Sequence, residues 1–476
     1  MKKKYDNIPL PVKAGFAFLV CSVLQSGLNI LTLPLFTRIL TTEQYGVSSN
    51  YFAWNDIFAI LCTFRFSYGV FDKGMVVYDE AKDKFQSALL GLSMTITLFF
   101  ALIFTLTYEF YGDYIGIPLW LCMTMIIYQL FSPALLFWTN RSKFDYRYKA
   151  YSIIIVITSL LCTFINLGSV ILLPGDKGIL KILSYQIVWT LVNGIVAIAT
   201  FLKGKCFYNK NMWRYALGYN IPLLPYFLST VILDKADRIM ISNICEAGDV
   251  ALYSVSYNLA NLMILFTSAI GGAFTPWIYK KIKCKEYDEI PRVSNTIILI
   301  FIGVSSVFML FAPELIRLFA SSEYSEAIYV IPPVVASNFF ILLYSLVSKI
   351  EYYFEKTKVV AFISIFTALL NIFLNYLFIP RFGYIAAAYT TLISYIASTV
   401  LHCFFSNRIA NLCGIKETIY SWKVIVGLSI IMMISTILVN TLYDCLMARY
   451  IVISLLILIA IICKNRILTL FSTIKG

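Results

Sequence analysis

Apolar residues along the chain fall in runs of about 20, separated by short polar segments, and a run of that length lets a helix cross a hydrocarbon layer about 30 Å thick. From the N-terminus the runs predict spans over 14–36, 48–70, 87–107, 115–138, 151–173, 182–202 and 216–233. Seven more follow at 251–278, 296–311, 327–347, 359–379, 384–405, 424–442 and 446–463. Fourteen spans leave about 34 residues for each helix with its loop, so little chain remains for an extramembrane domain. The first run is too long for the apolar core of a signal peptide and no small-residue cleavage pattern follows it. It is expected to stay as the first span.

Composition narrows the class further. The 476 residues are 60% apolar and 13% charged, with a mean hydropathy of +0.81. Soluble domains carry about 25% charged residues. A soluble enzyme, a disordered chain and a nucleic-acid-binding domain are all excluded, which leaves an all-α polytopic membrane protein. The net charge of +13 does not reopen the nucleic-acid reading, because the Lys and Arg sit in clusters between the runs rather than on one face.

Those clusters alternate in size. The N-terminus and every second loop hold 29 of the 38 Lys and Arg, the opposite side holds 8, and Arg65 lies inside the second run. The positive-inside rule then puts both termini in the cytoplasm and requires an even number of spans. Six spans precede the basic segment 203–214, six follow it and two close the chain. The expected organisation is a first six-helix bundle over 1–202, a cytoplasmic linker over 203–214, a second bundle over 215–406, and two further helices in 407–476. Pro174 after span five and Pro380 after span eleven, with Ser184-Tyr185 and Ser394-Tyr395 in spans six and twelve, hint at a repeat. Two similar bundles around a midplane site are a transporter architecture.

Little in the chain points to catalysis or a cofactor. The eleven Cys, from Cys21 to Cys463, show no C-x-x-C and no zinc spacing, and most lie in apolar runs where Cys acts as a small hydrophobe. His402 stands alone near a span end, so no His-based metal site or triad is expected. No G-x-x-x-x-G-K-[ST] loop marks a primary pump. Trp120, Trp138, Trp213, Trp277 and Trp422 lie near span ends, where indole suits the headgroup level.

Three segments carry a family resemblance. The first is Leu33-Pro34-Leu35-Phe36-Thr37-Arg38-Ile39-Leu40, followed by Glu43-Gln44-Tyr45-Gly46. The second is Asp237-Arg238-Ile239-Met240-Ile241, followed by Ala251-Leu252-Tyr253-Ser254. The third runs from Lys356-Thr357-Lys358 through Asn371, Asn375 and Ile379-Pro380-Arg381-Phe382-Gly383 to Ala386-Ala387-Ala388. In this order and on fourteen spans, the chain resembles the Wzx-type polysaccharide and O-antigen flippases of the MOP superfamily, which also contains the MATE exporters. Ala251 and Ile385-Ala386 depart from the family's usual Gly and Gly-Ala.

The resemblance implies a flippase, not an enzyme, that moves an undecaprenyl-pyrophosphate-linked oligosaccharide across a bacterial cytoplasmic membrane for surface polysaccharide assembly. It implies no cofactor. The implied partners are the lipid-linked oligosaccharide, membrane lipids and other polysaccharide-assembly proteins. A MATE-type multidrug or cation antiporter is the close alternative. A membrane polymerase or polyprenyl glycosyltransferase is a third, disfavoured because the longest outward gap is about 17 residues and such enzymes need more chain outside the bilayer.

An anionic cargo directs attention to charges within spans, which are costly there and usually face a cavity. Arg65 is either a pyrophosphate contact or a snorkelling anchor. Asp56, nine residues earlier, falls on the opposite face of a continuous helix and cannot neutralise it. Asp234, Lys235, Asp237 and Arg238 form the densest cluster. Asp234 and Arg238 are spaced as a favourable helical pair, leaving Lys235 and Asp237 to point elsewhere. The alternative, an Asp234-x-x-Asp237 metal–pyrophosphate motif, lacks a second acidic motif. Arg65, Lys235, Asp237, Arg238 and Arg38 are the candidate substrate contacts, and Asp56 and Asp234 the candidate ion-coupling acids. Tyr51, Trp54, Tyr219, Tyr226, Tyr253 and Tyr257 either stack on sugars or pack the core. Pro222 and Pro225 are expected to break span seven.

Overall fold

The computed structural model describes residues 10–462 apart from 416 and 418. Cys463 and the basic residues of both chain ends lie outside the described residues. Helices account for all the regular structure described, and they pack as two units, Met1–Ala251 and Leu252–Gly476.

The first unit contains α1 (Leu10–Ile39), α2 (Thr42–Thr63), α3 (Val70–Val77), α4 (Lys82–Ile115), α5 (Leu119–Phe144), α6 (Tyr148–Leu172), α7 (Lys177–Gly204), α8 (Lys210–Asn220) and α9 (Leu224–Ile244). Helix α10 (Ala247–Ala260) leads into the second unit. There α11 (Met263–Cys284), α12 (Glu289–Leu310), α13 (Ala312–Phe319), α14 (Ile331–Val347) and α15 (Lys349–Tyr353) are followed by α16 (Thr357–Phe382), α17 (Tyr384–Leu412), α18 (Trp422–Leu442) and α19 (Leu446–Ile462). Each of the fourteen expected spans corresponds to one helix or to a broken pair. Among the described residues twelve are long and apolar enough to cross a membrane, so the chain is a multi-pass membrane protein. The second span falls short because α2 carries Glu43, Asn50, Asn55 and Asp56, and of the last, α19, 17 residues are among those described.

The second span departs from the expected continuous helix over 48–70. Helix α2 stops at Thr63, and Phe64 (φ 47°) and Arg65 (φ 52°) take the left-handed conformation. Such residues cost free energy without a glycine, so something must hold them. Side-chain amides do: Asn220 Nδ2 donates to the Phe64 carbonyl at 2.7 Å and Asn140 Nδ2 to the Ser67 carbonyl at 2.7 Å. Thr97 Oγ1 donates to the Cys62 carbonyl at 2.9 Å. The carbonyls released by the break are thus paired, as backbone at membrane depth requires. Span seven breaks where its prolines predict, with a 3₁₀ turn over Ile221–Leu223 between α8 and α9.

The second unit holds a polar staple that the isolated position of His402 did not suggest. Both Glu351 carboxylate oxygens lie within 3.0 Å of His402 Nδ1, Ser406 Oγ donates to Oε1 at 2.9 Å, and all three residues are buried. Tyr344 stacks on the imidazole at 5.2 Å. The ring lies ten residues before the end of α17, where α15 packs against that helix.

Asn371 and Asn375 of the third motif are buried between α16 and α17, where Asn371 donates to Thr391 Oγ1 at 3.0 Å and Thr390 donates to Asn375. Pro380 does not end its helix. Helix α16 runs on to Phe382 and stops at Gly383 (φ 69°). Trp120 is exposed, but Trp213 donates to the Ala88 carbonyl at 2.8 Å and Trp277 is buried beside Phe274, because neighbouring helices cover both ends.

Candidate functional site: the seam between α2 and α9

The candidate site begins with how α2 is started and turned. Thr41 and Gln44 form a capping box, Thr41 Oγ1 accepting from the Gln44 amide at 3.2 Å and Gln44 Oε1 from the Thr41 amide at 3.3 Å. A buried chain of hydrogen bonds then sets the helix's rotation. Gln129 of α5 donates to Asn55 Oδ1 at 3.2 Å, and Gln186 of α7 donates to Tyr51 Oη at 2.8 Å. With Tyr51 and Asn55 held toward α5 and α7, Asp56 is one helical step round, toward α9.

Helices α2 and α9 run antiparallel. Gly46 meets Ala247 just beyond α9, Asp56 meets Lys235, and Arg65 meets Phe227, one index rising as the other falls. Gly46 is indispensable at the top of this seam: a Cβ there would stand 1.7 Å from the Ala247 carbonyl oxygen. Midway along α9, Lys235 Nζ lies 3.2 Å from Asp56 Oδ2 and 3.0 Å from Asp234 Oδ2. The group is partly open, with 23% of the Lys235 side chain and 46% of that of Asp56 exposed.

This geometry corrects two expectations. Lys235 is not left pointing elsewhere, and it joins the two acids assigned to ion coupling. Asp56 and Arg65 do not share the continuous helix expected over 48–70, because Arg65 sits in the turn beyond α2. Its guanidinium stacks 4.5 Å over Tyr68 and 5.6 Å from the Phe227 ring, with no carboxylate in ion-pair reach among the described residues. Arg238 is buried one turn beyond Asp234 and donates to that residue's backbone carbonyl at 2.8 Å. Asp237 is also buried, whereas Asp234 is partly exposed, so the two acids of the Asp234-x-x-Asp237 motif do not share an open face. Arg38 is exposed in the last turn of α1. Tyr51, Tyr253 and Tyr257 are buried as packing rings.

Lys181, one of the eight cations on the less basic side, has surroundings that its place in the sequence does not indicate. Lys181 of α7 donates to Ser48 Oγ at 3.0 Å and lies 4.0 Å over the Tyr45 ring and 4.9 Å over that of Phe36. No carboxylate is in ion-pair reach among the described residues. Only the packing of α1, α2 and α7 assembles this cage, so no local pattern announces it.

Chemically, the seam offers two kinds of cation. Lys235 is a compact charge balanced by acids, able to exchange a partner. Arg65 is a planar fork held over rings, with its donors unspent on carboxylates, and it suits bidentate binding of a phosphate.

Comparisons with known proteins agree with this architecture. A family model described as "Polysaccharide biosynthesis protein" matches residues 12–281, and the MatE family model matches 222–377. The chain is 21% identical over 411 residues to a probable low-salt glycan biosynthesis flippase of Haloferax volcanii, covering 84% of each protein. The fold is similar to that of the lipid II flippase MurJ in an inward closed conformation. The TM-score is 0.68 at 16% identity, over 94% of this chain and 99% of that one. It is also similar to an inward-facing multidrug resistance MATE transporter of the MOP superfamily. There the TM-score is 0.60 at 14% identity, over 85% of this chain and 100% of the other.

Proposed function

The chain belongs to the polysaccharide biosynthesis protein family, and from that premise we propose that it is a MOP-superfamily flippase for a polyprenyl-pyrophosphate-linked oligosaccharide. The cargo is the repeat unit of a surface polysaccharide such as O-antigen or capsule, carried by undecaprenyl and moved from the inner to the outer leaflet of the cytoplasmic membrane. Both termini face the cytoplasm, and residues 1–202 and 215–406 act as the two six-helix bundles of the transport cycle. Arg65, Lys235, Asp237, Arg238 and Arg38 are the proposed contacts to the cargo, the cations serving its anionic headgroup, while Asp56 and Asp234 are the proposed ion-coupling acids.

One observation carries this reading: Arg65, at a break within a span, presents a guanidinium over two rings with no carboxylate in ion-pair reach among the described residues. A pyrophosphate entering the bilayer loses its hydration and needs such donors. The membrane potential assists export, since each negative charge moved outward gains about 2.3 kcal/mol per 100 mV. Transport of a doubly charged headgroup therefore does not demand ATP.

Deletion tests the proposal. The mutant should lose surface polysaccharide and accumulate lipid-linked repeat units facing the cytoplasm, with the glycosyltransferases still active. The MatE match over 222–377 supports a second reading, a drug or cation antiporter. Normal polysaccharide with increased drug sensitivity would select it.

A further inference from the structure

At the end of the first unit where α5 terminates and α6 begins, a cavity of about 430 Å³ changes character across its width. One side is charged, with Asp83, Arg141, Asp145, Arg147 and Lys203; the other is apolar, with Ile154, Ile195 and Val196. The two acids are committed to arginines. Arg141 bonds Asp83, donates to Gln86 Oε1 at 3.3 Å and lies 3.6 Å from Asp145, which also lies 3.3 Å from Arg147. The outer cations are not used up. The Arg147 side chain is 62% exposed, and Lys203 is exposed with no carboxylate in ion-pair reach among the described residues.

Three cations against two carboxylates leave the cavity with one net positive charge. Its apolar lining comes from α6 and α7, two of the membrane-spanning helices, where Ile195 is 68% exposed. A soluble anion would use the charged side and leave the apolar one unoccupied. An amphiphile with one negative charge uses both.

We propose that this cavity binds the headgroup of an anionic glycerophospholipid from the surrounding leaflet, phosphate on Arg147 and Lys203 and acyl chain along Ile154, Ile195 and Val196. Basic pockets between membrane helices at the positive side of a bilayer are established lipid sites, and the preponderance of Lys and Arg at this end places the pocket in the inner leaflet. The single net charge favours a phosphodiester over the doubly charged pyrophosphate of the cargo. The site is therefore separate from the α2–α9 seam.

Native mass spectrometry of the full chain, released from detergent with defined lipids, tests this. Phosphatidylglycerol should be retained on the wild type in preference to phosphatidylcholine. Arg147→Ala/Lys203→Ala should cut that retention about thirtyfold, since each basic residue near an anionic lipid contributes about fivefold. Arg147→Lys/Lys203→Arg should keep it, which separates charge from folding. Ile195→Asn should weaken phosphatidylglycerol without affecting glycerol phosphate. Equal retention of both lipids, full retention by the double alanine variant, or stronger competition by farnesyl pyrophosphate than by phosphatidylglycerol would each overturn the proposal. Equal binding of free glycerol phosphate would make it a soluble-phosphate site and overturn it as well.

Discussion

Replacing Lys235 with Met removes the ammonium that joins α9 to α2 while keeping most of its apolar stem. At 3.2 Å from Asp56 Oδ2, the bare Coulomb attraction is about 5 kcal/mol at an effective dielectric of about 20. Desolvation and partial exposure reduce this, since exposed pairs net about 0.2–1 kcal/mol and broken buried pairs about 3–5 kcal/mol. With 23% and 46% of the two side chains exposed, the coupling should fall at about 1–2 kcal/mol. That corresponds to roughly a 5- to 30-fold effect on the population of the joined state. Lys235→Met should therefore lower transport by that factor, because Asp56 then has no cation in reach among the described residues.

The decisive comparison is the double mutant. Asp56→Asn/Lys235→Met should transport several-fold better than Lys235→Met alone, and the exchange Asp56→Lys/Lys235→Asp better than Lys235→Asp. The assay is surface polysaccharide restored to a deletion strain, normalised to membrane abundance. If the single effects simply multiply in the double mutant, the ion pair does not work as a unit and the seam has no electrostatic role.

Three other perturbations separate the parts of the account. Arg65→Lys should keep partial transport, Arg65→Ala should nearly abolish it and Arg65→Glu should abolish it, all at normal membrane levels; full complementation by Arg65→Ala would make Arg65 a snorkelling anchor. Gly46→Ala must push α2 away from the Ala247 carbonyl, and overpacking of this kind costs about 1–3 kcal/mol; a carbodiimide crosslink between Asp56 and Lys235 should weaken in that variant, and an unchanged yield would show that the helices do not meet there. His402→Ala removes the imidazole partner of the buried Glu351 carboxyl and should cost about 1–3 kcal/mol, seen as reduced folded protein in thermal melts. Glu351→Gln/His402→Gln should recover much of that loss, and its failure to do so would contradict a hydrogen-bonded staple.

The spans were legible because the bilayer imposes a length on every apolar run, and α6, α16 and α18 lie almost where the runs place them. The Pro222 break was legible for a local reason, since proline removes a donor. The break at Phe64–Arg65 was not. No glycine lies between Gly46 and Gly69, and the groups that hold the break, Asn140 and Asn220, come from distant helices. The intrahelical spacing of Asp234 and Arg238 could be counted along the chain. The partner of Lys235 could not, because it depends on the packing of α2 against α9. His402 and Lys181 share that cause, their neighbours Glu351, Tyr45 and Phe36 being supplied by tertiary contacts. The motif residues Gly46, Asn371 and Asn375 gain a physical reason only once their partners Ala247, Thr390 and Thr391 are seen.

The central claim is that this chain moves a pyrophosphate-linked glycan lipid between leaflets. Purified protein in liposomes, loaded with a polyprenyl-pyrophosphate oligosaccharide in both leaflets, allows a direct measurement: the fraction that an added membrane-impermeant glycosidase can cleave. The account predicts cleavage beyond the half initially exposed, approaching completion with wild-type protein and stopping near half with Arg65→Glu. Cleavage that stops at half with the wild type, or proceeds equally with Arg65→Glu, would contradict it.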